Sequence, residues 1–80
     1  MQVSKLKDML ESGIEQSEVF VEGDGTHFEI TVIADTFENL STLQRQQTIN
    51  RILAPAFRDG DIHAVSMKTY TKEEWGAVDG

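Results

Sequence analysis

Residues 18–34 read EVFVEGDGTHFEITVIA, two runs of alternating character on either side of Gly-Asp-Gly-Thr. Alternation is the period of a strand, whose successive side chains point to opposite faces. In the first run Val19 and Val21 share a face. In the second, Phe28, Ile30 and Val32 point one way while His27, Glu29 and Thr31 point the other. The four residues between them are turn chemistry, because glycine accepts the positive backbone angles that tight hairpins demand. An antiparallel hairpin is the expectation, and it limits what the rest of a short chain can build.

Helical spacing flanks the hairpin. Val3, Leu6, Met9 and Leu10 predict a helix over residues 3–12, with Gly13 where a C-terminal cap belongs. Residues 35–40 read as a short helical or irregular turn. Ser41 and Gln44 form a Ser-x-x-Gln capping box opening the next helix, whose expected buried stripe is Leu43, Ile49, Ile52, Leu53, Ala56 and Phe57. Pro55 lacks an N–H and clashes with the turn before it, so a break or kink is expected near Ala54. IHAVSMKTY, residues 62–70, reads as a third strand. Thr71 and Glu74 make a second capping box, starting a short helix around Trp75, whose ring is expected to pin that helix to the sheet.

The second and third strands are thus joined by a helical crossover, which favours parallel pairing. His27 begins one strand and His63 the other, so parallel neighbours would bring the chain's two histidines to the same end of the sheet.

Composition removes several classes of function. Eighty residues support one thin core and no deep enclosed active site. Without cysteine there is no disulfide, and no thiolate-ligated metal site built by this chain alone. No long apolar run or charged-then-apolar leader is present, so neither a membrane span nor a secretion signal is expected, and the expected location is the cytoplasm. The net charge of −7 comes wholly from residues 1–40, while residues 41–58 carry Arg45, Arg51 and Arg58 and no acid. That balance speaks against a nucleic-acid binder, which needs a basic stripe to neutralise phosphates. No serine–histidine–acid order, metalloprotease motif or nucleotide fingerprint appears, and the chain is read as a non-enzyme.

GDGTHFEITVIADTF, LSTLQRQQTINRILA and above all IHAVSMKTYTKEEW resemble the BolA-like proteins, and within them the IbaG branch. The resemblance runs from about Lys5 to Trp75. It implies an α/β fold of the α+β kind, related to class II KH domains: α-β-β-α-α-β-α with a three-stranded mixed sheet covered by helices, residues 1–80 forming one BolA-like domain. It also implies a partner, a monothiol glutaredoxin, with which a [2Fe–2S] cluster is shared. The glutaredoxin cysteine and glutathione bring thiolates, and a histidine at the start of the last strand, here His63, brings nitrogen. A second family ligand lies in the loop between the first two strands, for which His27 is the nearest candidate. Asn39 stands where many members have glycine, and asparagine is the usual substitute for left-handed geometry. Asn50, Gln46 and Gln47 replace residues that are often Tyr, His or Arg, which thins the basic helix surface.

Read from chemistry alone, His63 is either a partly buried strand residue bonded through one nitrogen or a ligand; the resemblance selects the ligand. His27 stays open between ligand and solvent-facing bystander, with Asp24 and Glu29 near enough in sequence to accept its ring proton. The turn lacks the helix start a phosphate loop needs, and LAPAF lacks the glycine pair of a KH loop. Arg45, Arg51 and Arg58 read as a solvated helix face, with Arg51 and Arg58 on one side of it. The expected function is a non-enzymatic adaptor in iron–sulfur and redox homeostasis and stress response, monomeric or weakly homodimeric when free. The alternatives are a KH-like nucleic-acid-binding transcriptional regulator using the three arginines, and a binding module indifferent to both histidines.

Overall fold

A computed structural model of the chain describes residues 1–24 and 27–79. The tip of the turn read at residues 23–26 falls outside them. In chain order the elements are α1 (Val3–Gly13), β1 (Glu18–Gly23), β2 (His27–Ile33), a 3-10 turn (Asp35–Phe37), α2 (Thr42–Arg58), β3 (Ala64–Tyr70) and α3 (Lys72–Asp79).

The three strands form one mixed sheet in the order β1-β2-β3. β1 and β2 are antiparallel, with Val19 opposite Val32, Val21 opposite Ile30 and Glu22 opposite Glu29. β2 and β3 are parallel, with His27 opposite Ala64 and Ile33 opposite Tyr70. This is the expected consequence of the helical crossover. The sheet continues one step past β2, where the Ala34 N–H donates to the Tyr70 carbonyl at 2.9 Å.

Period 2 sorts the strand residues as read. Val19, Phe28, Ile30 and Val32 are buried, and they join Leu6 and Leu10 of α1 and Ile49, Leu53 and Ala56 of α2 in one core, with Phe37 and Ile62 closing it. α1 and α2 therefore cover one face of the sheet. Against the other face lies α3, whose Trp75 ring sits 5.9 Å from Phe20 and 5.3 Å from Tyr70 between centroids. Phe20 and Tyr70 alternate with the inward residues of their strands, so Trp75 covers the outer face where β3 ends, as its expected role of pinning α3 requires.

Both capping boxes form. The Ser41 hydroxyl accepts from the Gln44 N–H at 3.2 Å, while the Gln44 side chain accepts from the Ser41 N–H at 2.9 Å. At α3 the Thr71 hydroxyl accepts from the Glu74 N–H at 3.1 Å, and the Glu74 carboxylate accepts from the Thr71 N–H at 2.7 Å. Asn39 has φ of 68°, the left-handed geometry expected of it.

Three local readings are corrected. α2 runs unbroken through Pro55, so the crossover holds one α-helix preceded by a 3-10 turn rather than two helical pieces. Pro55 stands in the last turn, and it and Arg51, whose carbonyl loses its usual donor, are both exposed, so water can serve that oxygen. Gly13 is the last residue of α1, not a left-handed cap: a Cβ there would come within 2.8 Å of the Ile52 side chain, so closeness of helix to helix requires glycine. The left-handed turn falls later, at Gln16, with φ of 54°. Finally, Leu43 is 63% exposed and Phe57 36%, so neither belongs to the buried stripe, which is Arg45, Ile49, Leu53 and Ala56.

Candidate functional site

The end of the sheet where β2 and β3 begin collects the two histidines. His27 is the first residue of β2 and is paired with Ala64, the first residue of β3; His63 is the residue immediately before it. β3 starts at Ala64, two residues later than the start at Ile62 expected from the sequence, so His63 precedes the strand rather than beginning it. Both histidines are exposed. His63 follows the buried Ile62, which anchors the short connection from α2 in the core and leaves the next residue at the rim.

His27 is held by the hairpin. Its N–H donates to Asp24 Oδ1 at 3.0 Å, and its carbonyl accepts from the Asp24 N–H at 3.2 Å. Asp24 thus grips the main chain of His27, where the sequence had suggested a hold on its ring. Gly23 allows this closure, because a Cβ there would sit 2.6 Å from the His27 carbonyl and collide with the Phe28 ring. An open depression of about 390 Å³ lies beside His27, walled by Glu22, Asp24 and Glu29 on one side and by Ala64 and Ser66 on the other. His63 stands outside its lining, so the structure brings the two imidazoles to one edge without turning both into one hollow. Among the described residues, no three His, Asp or Glu side chains converge where they could hold a metal ion. Donors on this edge are two separate, accessible imidazoles, a set that fits a metal centre completed from outside and does not amount to a closed site.

Arg45 is the clear departure from sequence reading. It is no solvated surface residue: it is buried and fully engaged inside the fold. Its Nε donates to the Leu40 carbonyl at 3.1 Å, one terminal nitrogen reaches the Thr69 carbonyl and lies 2.7 Å from Glu74 Oε1, and the guanidinium stands 5.7 Å over the Phe37 ring. That guanidinium, with the Thr71 N–H, holds the Glu74 carboxyl below the usual carboxylate range. The signal was present in the spacing, since Arg45 precedes Ile49 by four and Leu53 by eight and so shares their face. Arg51 and Arg58 remain exposed.

Comparison with known proteins agrees with this fold. The sequence profile described as BolA-like protein matches residues 3–74. The chain is 36% identical over 75 residues to the acid stress protein IbaG of Escherichia coli K12, covering 94% of this chain and 89% of that protein. Among solved structures, it superposes on a bolA protein homologue from Coxiella burnetii with a TM-score of 0.86 at 38% identity, covering 95% of this chain and 97% of the other. It also superposes on yeast Fra2 with a TM-score of 0.76 at 32% identity, covering 98% and 87%. No helix among the described residues is long and apolar enough to cross a membrane.

Proposed function

The chain belongs to the BolA-like family and to its IbaG branch, and from that premise we propose that it is a non-enzymatic cytoplasmic adaptor that shares a [2Fe–2S] cluster with a monothiol glutaredoxin. His63 is its nitrogen donor and His27 a second. The observation that carries this reading is the exposure of His63 at the rim, one residue before the position paired with His27. A ring buried there could not reach iron held by another protein.

The division of labour follows from donor chemistry. A cysteine-free chain brings only nitrogen and oxygen to iron, so the thiolates come from the glutaredoxin cysteine and from glutathione. The cluster, as shared cargo, supplies one-electron redox chemistry and iron that can be passed on. His63 binds only as the neutral base, because a proton on the ligating nitrogen occupies its lone pair. Replacing thiolate by imidazole raises a cluster's potential and makes its retention sensitive to acid. The E. coli relative's name, an acid stress protein, agrees with a role in stress response.

Mixing the chain with cluster-loaded glutaredoxin tests the reading by visible absorption and circular dichroism. The expected outcome is a spectrum distinct from that of the glutaredoxin homodimer, abolished in His63→Ala and weakened in His27→Ala. A mixture that keeps the homodimer spectrum defeats the adaptor reading, and a His63→Ala spectrum equal to the parent defeats the ligand assignment. The rival nucleic-acid reading loses Arg45 from its basic surface, leaving two exposed arginines on α2, too small a stripe for phosphate neutralisation.

A further inference from the structure

The outward face of α2 carries a pattern that the cluster edge does not use. Leu43, Gln47, Asn50, Ala54 and Phe57 are all exposed and follow one another at intervals of four, three, four and three. Those intervals put the five residues in one line, a seam, on one face of the helix, where a second helix could lie along them. The two ends of that line are large apolar side chains, Leu43 at 63% exposure and Phe57 at 36%, separated along the helix by about 21 Å. Arg51 and Arg58 each directly follow a seam residue (Asn50 and Phe57) and flank the line on one side, both exposed. Flanking charges of this kind choose the partner and its orientation.

Charge then selects the occupant. Residues 41–58 contain no acid, in a chain whose net charge is −7. A second copy of this helix would bring its own arginines against Arg51 and Arg58, with two acidic bodies behind them, and like charges at a seam oppose pairing. A duplex nucleic acid would find two phosphate-neutralising groups and, at the ends of the line, apolar side chains with nothing to read. We propose that this face docks an amphipathic helix of a protein partner that carries Asp or Glu beside its apolar line. The polar Gln47 and Asn50 at the centre fix register and cost affinity, so the complex is weak and reversible. None of these α2 residues lines the depression beside His27.

A synthetic helical peptide with leucines along its seam and glutamates beside it, titrated into the isotope-labelled chain, tests this by amide chemical shifts. The expected result is shifts confined to the outward face of α2. A twin peptide with lysines in place of the glutamates should bind about tenfold more weakly, and Arg51→Glu combined with Arg58→Glu should reverse that preference. Leu43→Ser, also at an exposed position, should weaken both peptides while leaving the circular dichroism of the fold unchanged. Shifts centred elsewhere, equal binding of the two peptides, or tighter binding of a duplex DNA oligonucleotide to the same face would overturn the proposal. So would a stable dimer of the free chain that Leu43→Ser dissociates.

Discussion

One carboxylate, Glu74, closes two structures at once. It caps α3 through the Thr71 N–H and it neutralises Arg45, a charge that could not sit in the core alone. Its pKa in the folded chain is lowered, chiefly by the Arg45 hydrogen bond. A lowered carboxylate contributes stability above its unfolded value, about 4.3, and loses it as pH falls through the folded value. Glu74→Gln keeps the shape and the cap while removing the charge. The expected outcome is a melting temperature several degrees below the parent at neutral pH, with the gap narrowing as the buffer is taken below about pH 4. A gap independent of pH would place the effect in packing instead. Arg45 itself was misread because charged residues default to the surface, whereas its spacing to Ile49 and Leu53 had already assigned it inward. The ligand role proposed for His63 rests on family resemblance together with its exposed place at the rim; nothing in imidazole chemistry separates a rim ligand from an ordinary strand residue.

Among the elements, the strands were the most legible. Period 2 is strict, and a burial pattern of alternating Phe28, Ile30 and Val32 leaves one solution for the face that points inward. α2 was harder. Its outward line of Leu43 and Phe57 carries the same apolar letters as its buried line, so composition could not tell a core stripe from an exposed seam. Pro55 misled in the other direction. Its cost was counted as for a helix interior, but in the last turn only one bond is lost and solvent replaces it. Pro55→Ala restores a donor for the Arg51 carbonyl while loosening the unfolded chain, and the two effects partly offset. The expected net change is within about 1 kcal/mol of zero, read as a nearly unchanged urea midpoint at unchanged slope. A larger loss of stability would mean that the ring's packing, not its backbone, decides the position.

The molecule as a whole is an acidic body with a mildly basic helix. Uncompensated charge of this size pushes the compact state apart, and added salt screens it, while the Arg45–Glu74 contact, buried on the arginine side and half-exposed on the glutamate side, is screened only in part. Raising ionic strength from about 0.01 M to about 0.15 M should therefore raise the melting temperature of the free chain. A fall would show surface ion pairs outweighing the net repulsion. The parallel register of β2 and β3 has a different consequence, one of timing. His27 and His63 become neighbours only after the whole crossover has folded back and the final strand has docked, a long-range closure that comes late and opens early. A nascent or partly unravelled chain therefore presents only solitary imidazoles, and the edge that carries both exists only in a finished molecule.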